Sequence, residues 1–336
     1  MANEIRIAGN KIELVGAVKE HKLNKGTSNK DGKTSNYING SLVLACGNDT
    51  EIELKVFVNE LTNPKDGSTP KVRKNYEILS GIIDKEYPTM VDDAENPTAL
   101  SVYGNGNFTA QLKEERYANQ TRTECSTRIS CDLGFGNFKV VTNDVDTFRA
   151  NFDIEAYVSE LVDEVKGEDE EETGRVIVKC LVPTSKGDIF PISLIAGDVT
   201  DDEGTFNMGE VLKDEGIEGE TINFWGDINF GKIIERVKKG GSMGRAKFEE
   251  KTTYVHELTV VGAERVADDK AYEDEDIEMA MKQRTIAMEE VLTKAKEKDA
   301  SAGSAPAKGR GGIGSKASTG ATAPTGDKPK KRTVTF

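Results

Sequence analysis

Over several stretches of this chain apolar and polar residues alternate one for one, the period of a strand with one buried face. The clearest is Ser101–Lys113 (SVYGNGNFTAQLK), and it has an echo at Asn223–Lys232 (NFWGDINFGK). In each, the alternation breaks at a glycine after an aromatic residue (Tyr103-Gly104, Trp225-Gly226). It resumes with an Asn-Phe pair and runs into basic sequence. A glycine inside a strand pattern predicts a bulge or a sharp bend, as at the corner of a small barrel. Two copies of the pattern predict two copies of one domain.

The same reading along the chain predicts a strand over Lys11–Val18, with Ile12, Leu14 and Val18 on one side. The polar run Lys19–Gly40 reads as a long loop, carrying Lys19, Lys22, Lys25, Lys30 and Lys33 against only Glu20 and Asp31. A loop of that length inside a compact domain is uncommon unless it has a function. Ser41–Cys46 and Glu51–Val58 predict a hairpin about Gly47-Asn48-Asp49. Ile52, Leu54, Val56 and Val58 share its buried face, which leaves Phe57 on the other. Helical spacing of Val72, Tyr76, Leu79 and Ile83 predicts a helix over Lys71–Lys85. A basic loop is expected within Gln111–Arg128, where Lys113, Arg116, Arg122 and Arg128 surround Tyr117. A strand pair, Ile129–Leu133 and Asn137–Val141, closes the unit.

The order then repeats. A strand over Phe152–Leu161 places Ile154, Ala156 and Val158 opposite Tyr157, and an acidic loop (Asp163–Glu172) follows. Next come a hairpin (Arg175–Val182, Asp188–Ile195), a short helix (Gly209–Glu215) and the strand Thr221–Phe230. The basic segment Gly231–Lys251 holds Lys238, Lys239, Arg245 and Lys247, and Thr252–Val266 closes the second unit. Beyond it, Ile277, Met281, Ile286, Met288, Val291 and Leu292 recur at helical spacing. Acids precede them and lysines follow, as suits a helix dipole. From Ala300 the sequence is rich in Ala, Gly, Ser, Thr and Pro and predicts a flexible basic tail. The expected divisions are 1–146, 147–267, a helix over 268–299 and the tail 300–336.

Composition narrows the function. The net charge of −14 argues against a nucleic-acid partner, but the acids concentrate in Glu164–Glu172, Asp201–Glu203 and Asp268–Glu278, and the bases lie elsewhere. No apolar run approaches the ~18 residues of a membrane span. The N-terminus lacks the build of a signal peptide, so a cytoplasmic protein is expected. Four cysteines without a C-x-x-C pair and only two histidines predict reduced thiols and no metal or histidine-based catalytic site. There is no phosphate loop, and Gly104-x-Gly106 lacks the third glycine of a dinucleotide fingerprint. No catalytic constellation or cofactor is expected, and the chain reads as non-enzymatic.

Two small five-stranded barrels with long loops after strands one and four describe the oligonucleotide/oligosaccharide-binding (OB) architecture, in which ligand crosses strands two and three between those loops. Single strands are held by a positive groove and by aromatic faces on which bases stack. On this patterning the chain resembles single-stranded-DNA-binding proteins of tandem OB-fold type, as carried by phages or mobile elements. The resemblance covers residues 11–266. It implies sequence-independent coating of single-stranded DNA in replication or recombination, in the host cytoplasm if of phage origin. Replication or recombination proteins would be partners, and self-association is compatible with it. The expected phosphate contacts are Lys19, Lys22, Lys25, Lys30, Lys33, Lys113, Arg116, Arg122 and Arg128, extended by Lys238, Lys239, Arg245 and Lys247. Phe57, Tyr103, Tyr117 and Trp225 are expected to stack on bases. Bacterial members end in an acidic tip with a terminal Pro-Phe. Here Lys330, Lys331 and Arg332 precede Phe336, so that recruiting role does not carry over. The rival reading is a structural or interaction protein of a phage particle, built from two β-domains, which accounts more directly for the acidic net charge. RNA as the ligand stays open.

Overall fold

The computed structural model of the protein describes residues 5–302 apart from 31–32, 48–49, 63–67, 105–108, 120–122, 167–170, 202–203 and 240–246. The fold is mainly β. In chain order its first half comprises β1 (Asn10–Lys30), β2 (Lys33–Ala45), β3 (Glu51–Asn59), helix α1 (Lys74–Ile83), β4 (Ala99–Tyr103), β5 (Gln111–Tyr117), β6 (Ser126–Asp132) and β7 (Asn137–Val141). The second half comprises β8 (Arg149–Lys166), β9 (Glu171–Pro183), β10 (Ile189–Ala196), β11 (Asp198–Asp201), β12 (Gly204–Asn207), helix α2 (Met208–Glu215), β13 (Thr221–Lys239) and β14 (Lys247–Arg265). Helix α3 (Asp274–Ala302) follows. Twelve of the strands belong to one sheet, and β11 and β12 form a separate hairpin.

In the second half the pairing returns to its start. β8, β9 and β10 pair antiparallel in sequence. β10 then meets β14 in parallel at Ile195↔Thr259, β14 pairs β13, and β13 pairs back onto β8 from Thr221↔Tyr157 to Asp227↔Asn151. The first half follows the same order. β1, β2 and β3 are antiparallel neighbours, and β3 meets β6 in parallel at Leu54↔Cys131. β6 pairs β5, and the chain entering β5 bridges back to β1 at Ile12↔Ala110. Here β4 and β5 together occupy the place of β13, and β6 and β7 that of β14. The expected bend after the aromatic is present in the second copy. The ladder shifts register between Trp225 and Gly226, and β4 ends at Tyr103. Asn105–Phe108 lie outside the described residues.

Two expectations about loops are corrected. The polar run after the first strand is the outer part of a hairpin, paired from Leu23↔Gly40 to Lys30↔Lys33. The acidic run likewise extends β8 and β9 as far as Lys166↔Glu171, and the basic run extends β13 and β14 to Lys239↔Lys247. Such arms are held by backbone hydrogen bonds and need bury neither face, so they lack the alternation that betrays a strand. The tips of these arms also carry Gly, Asn and Ser, which read as loop. The second correction concerns Ile129–Leu133 and Asn137–Val141, which do not pair with each other. β6 pairs β3 and β5, whereas β7 pairs β4. The short Gly-containing break between them mimics a hairpin turn.

The halves are joined by an antiparallel ladder between β1 and β8, from Asn10↔Ile154 to Val15↔Arg149. A continuous core runs from Leu42, Leu54 and Phe138 through Ile12, Leu14, Phe152 and Ile154 to Phe224 and Leu258. α1 buries Ile78, Leu79 and Ile82. Of the expected stripe Leu79 is fully buried and Tyr76 and Ile83 pack half-buried against the core, whereas Val72 stays exposed outside the helix. α3 docks through Ile277, Ala280 and Arg284, whereas Met281 and Ile286 of the expected stripe are exposed. A buried arginine breaks the apolar pattern from which the docking face was read. Cys46, Cys131 and Cys180 are buried free thiols, and burial pushes Cys46 and Cys131 up to about 12. Among the described residues no helix is long and apolar enough to cross a membrane.

β9 is tied to both its neighbour β8 and to β14 by Arg175, which donates to Glu164 (2.6 and 2.7 Å) and Glu257 (3.0 and 3.2 Å). Arg175, helped by the Thr173 hydroxyl, lowers the Glu164 carboxyl from 4.5 to about 2. A lowered folded value means that this stabilisation is complete above the unfolded pKa and is lost as pH falls toward the folded one. In urea titrations the wild type therefore loses more stability than Glu164→Gln between about pH 4.5 and 2. Parallel pH curves for the two proteins would refute this.

Candidate nucleic-acid interface

The strands β2, β3, β6 and β5 are consecutive neighbours and present one outer face. Along β3 strict alternation buries Ile52, Leu54, Val56 and Val58 and turns Glu53, Lys55 and Phe57 outward. Phe57 is 59% exposed. It does not stand alone, because the Tyr37 ring of β2 stacks on it with centroids 5.3 Å apart and planes at 26°. The other side of Tyr37 lies against Gly26 of β1, where a Cβ would come within 2.5 Å of the ring. Glycine at that register position makes room for the tyrosine to lie down beside Phe57.

Charged groups fill the rest of the face. Lys55 lies 3.7 Å from Glu53 and 3.9 Å from Glu115. Arg128 reaches Glu53 at 3.4 Å. Burial opposes the Glu53 charge, yet the Ser41 hydroxyl and the charges of Lys55, Arg128 and Lys22 hold its carboxyl below the usual range. Tyr117, exposed at the end of β5, donates its hydroxyl to Glu115, and that bond raises its pKa. Tyr37, Phe57 and Tyr117 thus share a surface with Lys22, Lys55 and Arg128 and with the carboxylates of Glu53 and Glu115, and the register adds Lys113 and Asp132 to the same face.

The remaining expected contacts are distributed as follows. Lys19 pairs with Glu51, Lys25 with Asp84 at 2.6 Å, and Lys113 with Asp132 at 3.1 Å. Lys30 and Lys33 face each other at the far end of the β1–β2 arm. Lys238 follows the same pattern near the end of the β13–β14 arm, where Lys239 opposes Lys247. Arg122 and Arg245 lie outside the described residues. Tyr103 and Trp225 occupy equivalent positions, as expected, but stand apart from the Tyr37–Phe57 pair. β4 neighbours β1 and β7, and β13 neighbours β8 and β14. Trp225 is 40% exposed and lies over Gly262, where a Cβ would be 2.3 Å from the indole. One side of that ring is therefore packing. On the corresponding face of the second half, β9 and β10 turn out Ile177, Lys179, Leu181, Pro191 and Ser193, with no aromatic side chain.

Arg116 is a correction. Its side chain is only 14% exposed and donates to Glu114 and Asp188, each at 2.7 Å. Arg284 of α3 donates to the same Glu114 oxygen and to the Ile189 carbonyl (3.3 Å). Glu114 itself is 3% exposed, and its Oε1 has no protein partner. The cluster joins β5, the start of β10 and α3. A basic residue in a basic segment reads as a phosphate contact, but here two carboxylates from different halves consume its donors. Tyr37 was missed for the opposite reason. It falls in a segment read as loop, and only the short alternation Asn36-Tyr37-Ile38-Asn39, with Ile38 buried, marks it.

The model of the YorF family matches residues 8–294, from just before β1 into the last turns of α3. The chain belongs to the YorF family. The shared region of YorF thus takes in both halves, the joining ladder and the Glu114 cluster. No curated protein matches the chain. A solved structure of a replication protein A heterotrimer bound to ssDNA aligns at 11% identity over 78% of this chain and 67% of that chain. Its TM-score of 0.20 is too low to establish a common fold.

In this YorF protein Arg116→Ala leaves two buried carboxylates without their shared partner and should cost about 3–5 kcal/mol in urea unfolding. Arg128→Ala breaks a surface pair worth less than about 1 kcal/mol. Equal losses for the two would overturn the assignment of Arg116 to the joint.

Proposed function

We propose that this protein binds single-stranded DNA with little sequence preference, through two tandem OB-fold domains at 1–146 and 147–267. The pairing order supports the architecture. Each half runs first, second, third, fifth, fourth and back to first strand, with a helix before the fourth, and OB ligands cross the face of the second and third strands. The observation that carries the function is the exposed Phe57 backed by a half-buried Tyr37 on that face, with Lys55, Lys22 and Arg128 beside it. Flat rings accept any base, and cations beside them take the phosphates, so affinity follows strand form rather than sequence. The protein is read as non-enzymatic, coating DNA in phage replication or recombination in the host cytoplasm. The first half is the main binder, because β9 and β10, the counterparts of β2 and β3, turn out no aromatic side chain.

The rival reading, a structural or interaction protein of a phage assembly, is favoured by one observation. Lys55 and Arg128 on the face already have carboxylate partners in Glu53 and Glu115. Fluorescence anisotropy separates the two. A labelled ~30-nucleotide oligo(dT) should bind far more tightly than a duplex of equal length, with affinity falling steeply as salt rises. Oligo(U) in the same assay tests RNA. Phe57→Ala should cost about 1–3 kcal/mol of binding, the worth of one stacked base, and Tyr37→Ala should cost less, because both sides of its ring are already covered by Phe57 and Gly26. Absence of oligo(dT) binding at low salt would leave the structural reading in possession.

A further inference from the structure

The two halves meet a second time away from the β1–β8 ladder. After Asp227 β13 leaves its pairing with β8 and passes the first half, where Gly231 bridges Thr50 at the entrance to β3. One residue earlier, Phe230 is paired across the ladder with His256 of β14. The two rings lie 4.7 Å apart at 39°, and His256 is exposed. On the first-half side of this seam Arg128 of β6 leans on Glu53 of β3 at 3.4 Å. Its outward position belongs to the same face as Lys55 and Phe57. The seam therefore continues the Tyr37–Phe57 face toward the β13–β14 arm.

We propose that this seam is a phosphate contact in which His256 and Arg128 together hold the backbone of a bound strand, so that binding takes up a proton. It rests on the single-strand reading above and adds to it a path between the halves and a pH control. Partial desolvation of the imidazole, one side of which lies against Phe230, and then the charge of Arg128 lower the His256 pKa in the free protein. His256 is therefore mostly neutral at pH 7. A phosphate at the seam sets a negative charge beside the ring and offsets that of Arg128, so the imidazolium becomes favoured and its pKa rises. Among the described residues two groups act on it. Phe230 on β13 supplies a ring and Arg128 on β6 a positive charge. Glu257, next on β14, turns to the opposite side and is held by Arg175.

The direction follows from linkage. A group whose pKa rises on binding strengthens binding as pH falls from the bound value to the free one. A rise of one unit corresponds to about a tenfold gain in oligo(dT) affinity across that window. The full chain has only two histidines, His21 and His256, so both ring signals can be followed by NMR from pH 5 to 8, with and without oligo(dT). The expected result is a higher His256 pKa in the complex and a gain in affinity at low pH that His256→Gln abolishes. Two results overturn the contact alone: oligo(dT) bound while the His256 pKa stays put, or an acid-dependent gain that persists in His256→Gln. Failure to bind oligo(dT) at low salt at every pH overturns the contact and the single-strand reading together.

Discussion

The antiparallel ladder between β1 and β8 is the constraint on which the rest of the molecule depends. Leu14 and Val15 of β1 pair with β4 on one side and with β8 on the other, so β1 is an interior strand with both edges used. A strand in that position offers no free edge to another chain, and it gives both pairing circuits a common wall. The arrangement explains why the core is continuous and does not divide at the boundary between the repeats. It also determines which surfaces come together, because β13, paired to β8, is led past the entrance of β3.

The Glu114 cluster braces the same junction from the far side. Two arginines, one from β5 and one from α3, converge on one carboxylate, and Asp188 at the start of β10 takes a further donor. Removing Arg116 takes the cation from Asp188, and removing Glu114 takes the carboxylate from Arg284, so a cluster of this kind holds its elements in one relation more firmly than its net energy would suggest. It gives α3 a structural task at the meeting of the halves, beyond covering apolar surface.

Across the outer face the balance of charge is close. The cations expected to meet phosphate already meet carboxylates, and any anionic ligand has to displace Glu53 or Glu115 from Lys55 and Arg128. Such a surface favours ligands that bring stacking as well as charge. On the proposed reading such a patch acts locally, while the overall charge of −14 repels nucleic acid at long range. The aromatic pair is the feature that distinguishes the first half from the second, since the pairing order of the two is the same.

The sequence by itself determined the mainly β character, the repeated order of elements, the two helices before the returning strands, the bend beside Trp225 and the exposure of Phe57. All of these follow from period-two burial or from a glycine interrupting it, and both are local. It could not separate a long two-stranded arm from a loop, since an arm exposed on both faces carries no burial signal. The tertiary structure alone decided partnership: that β6 and β7 are not a hairpin, that Tyr37 lies on Phe57, that Arg116 belongs to a buried joint, and that His256 sits at the seam. Each depends on residues from distant parts of the chain meeting in three dimensions. An arginine or a histidine has the same local sequence pattern whether its partner is a phosphate, water or a carboxylate some seventy residues away, and only packing chooses among them.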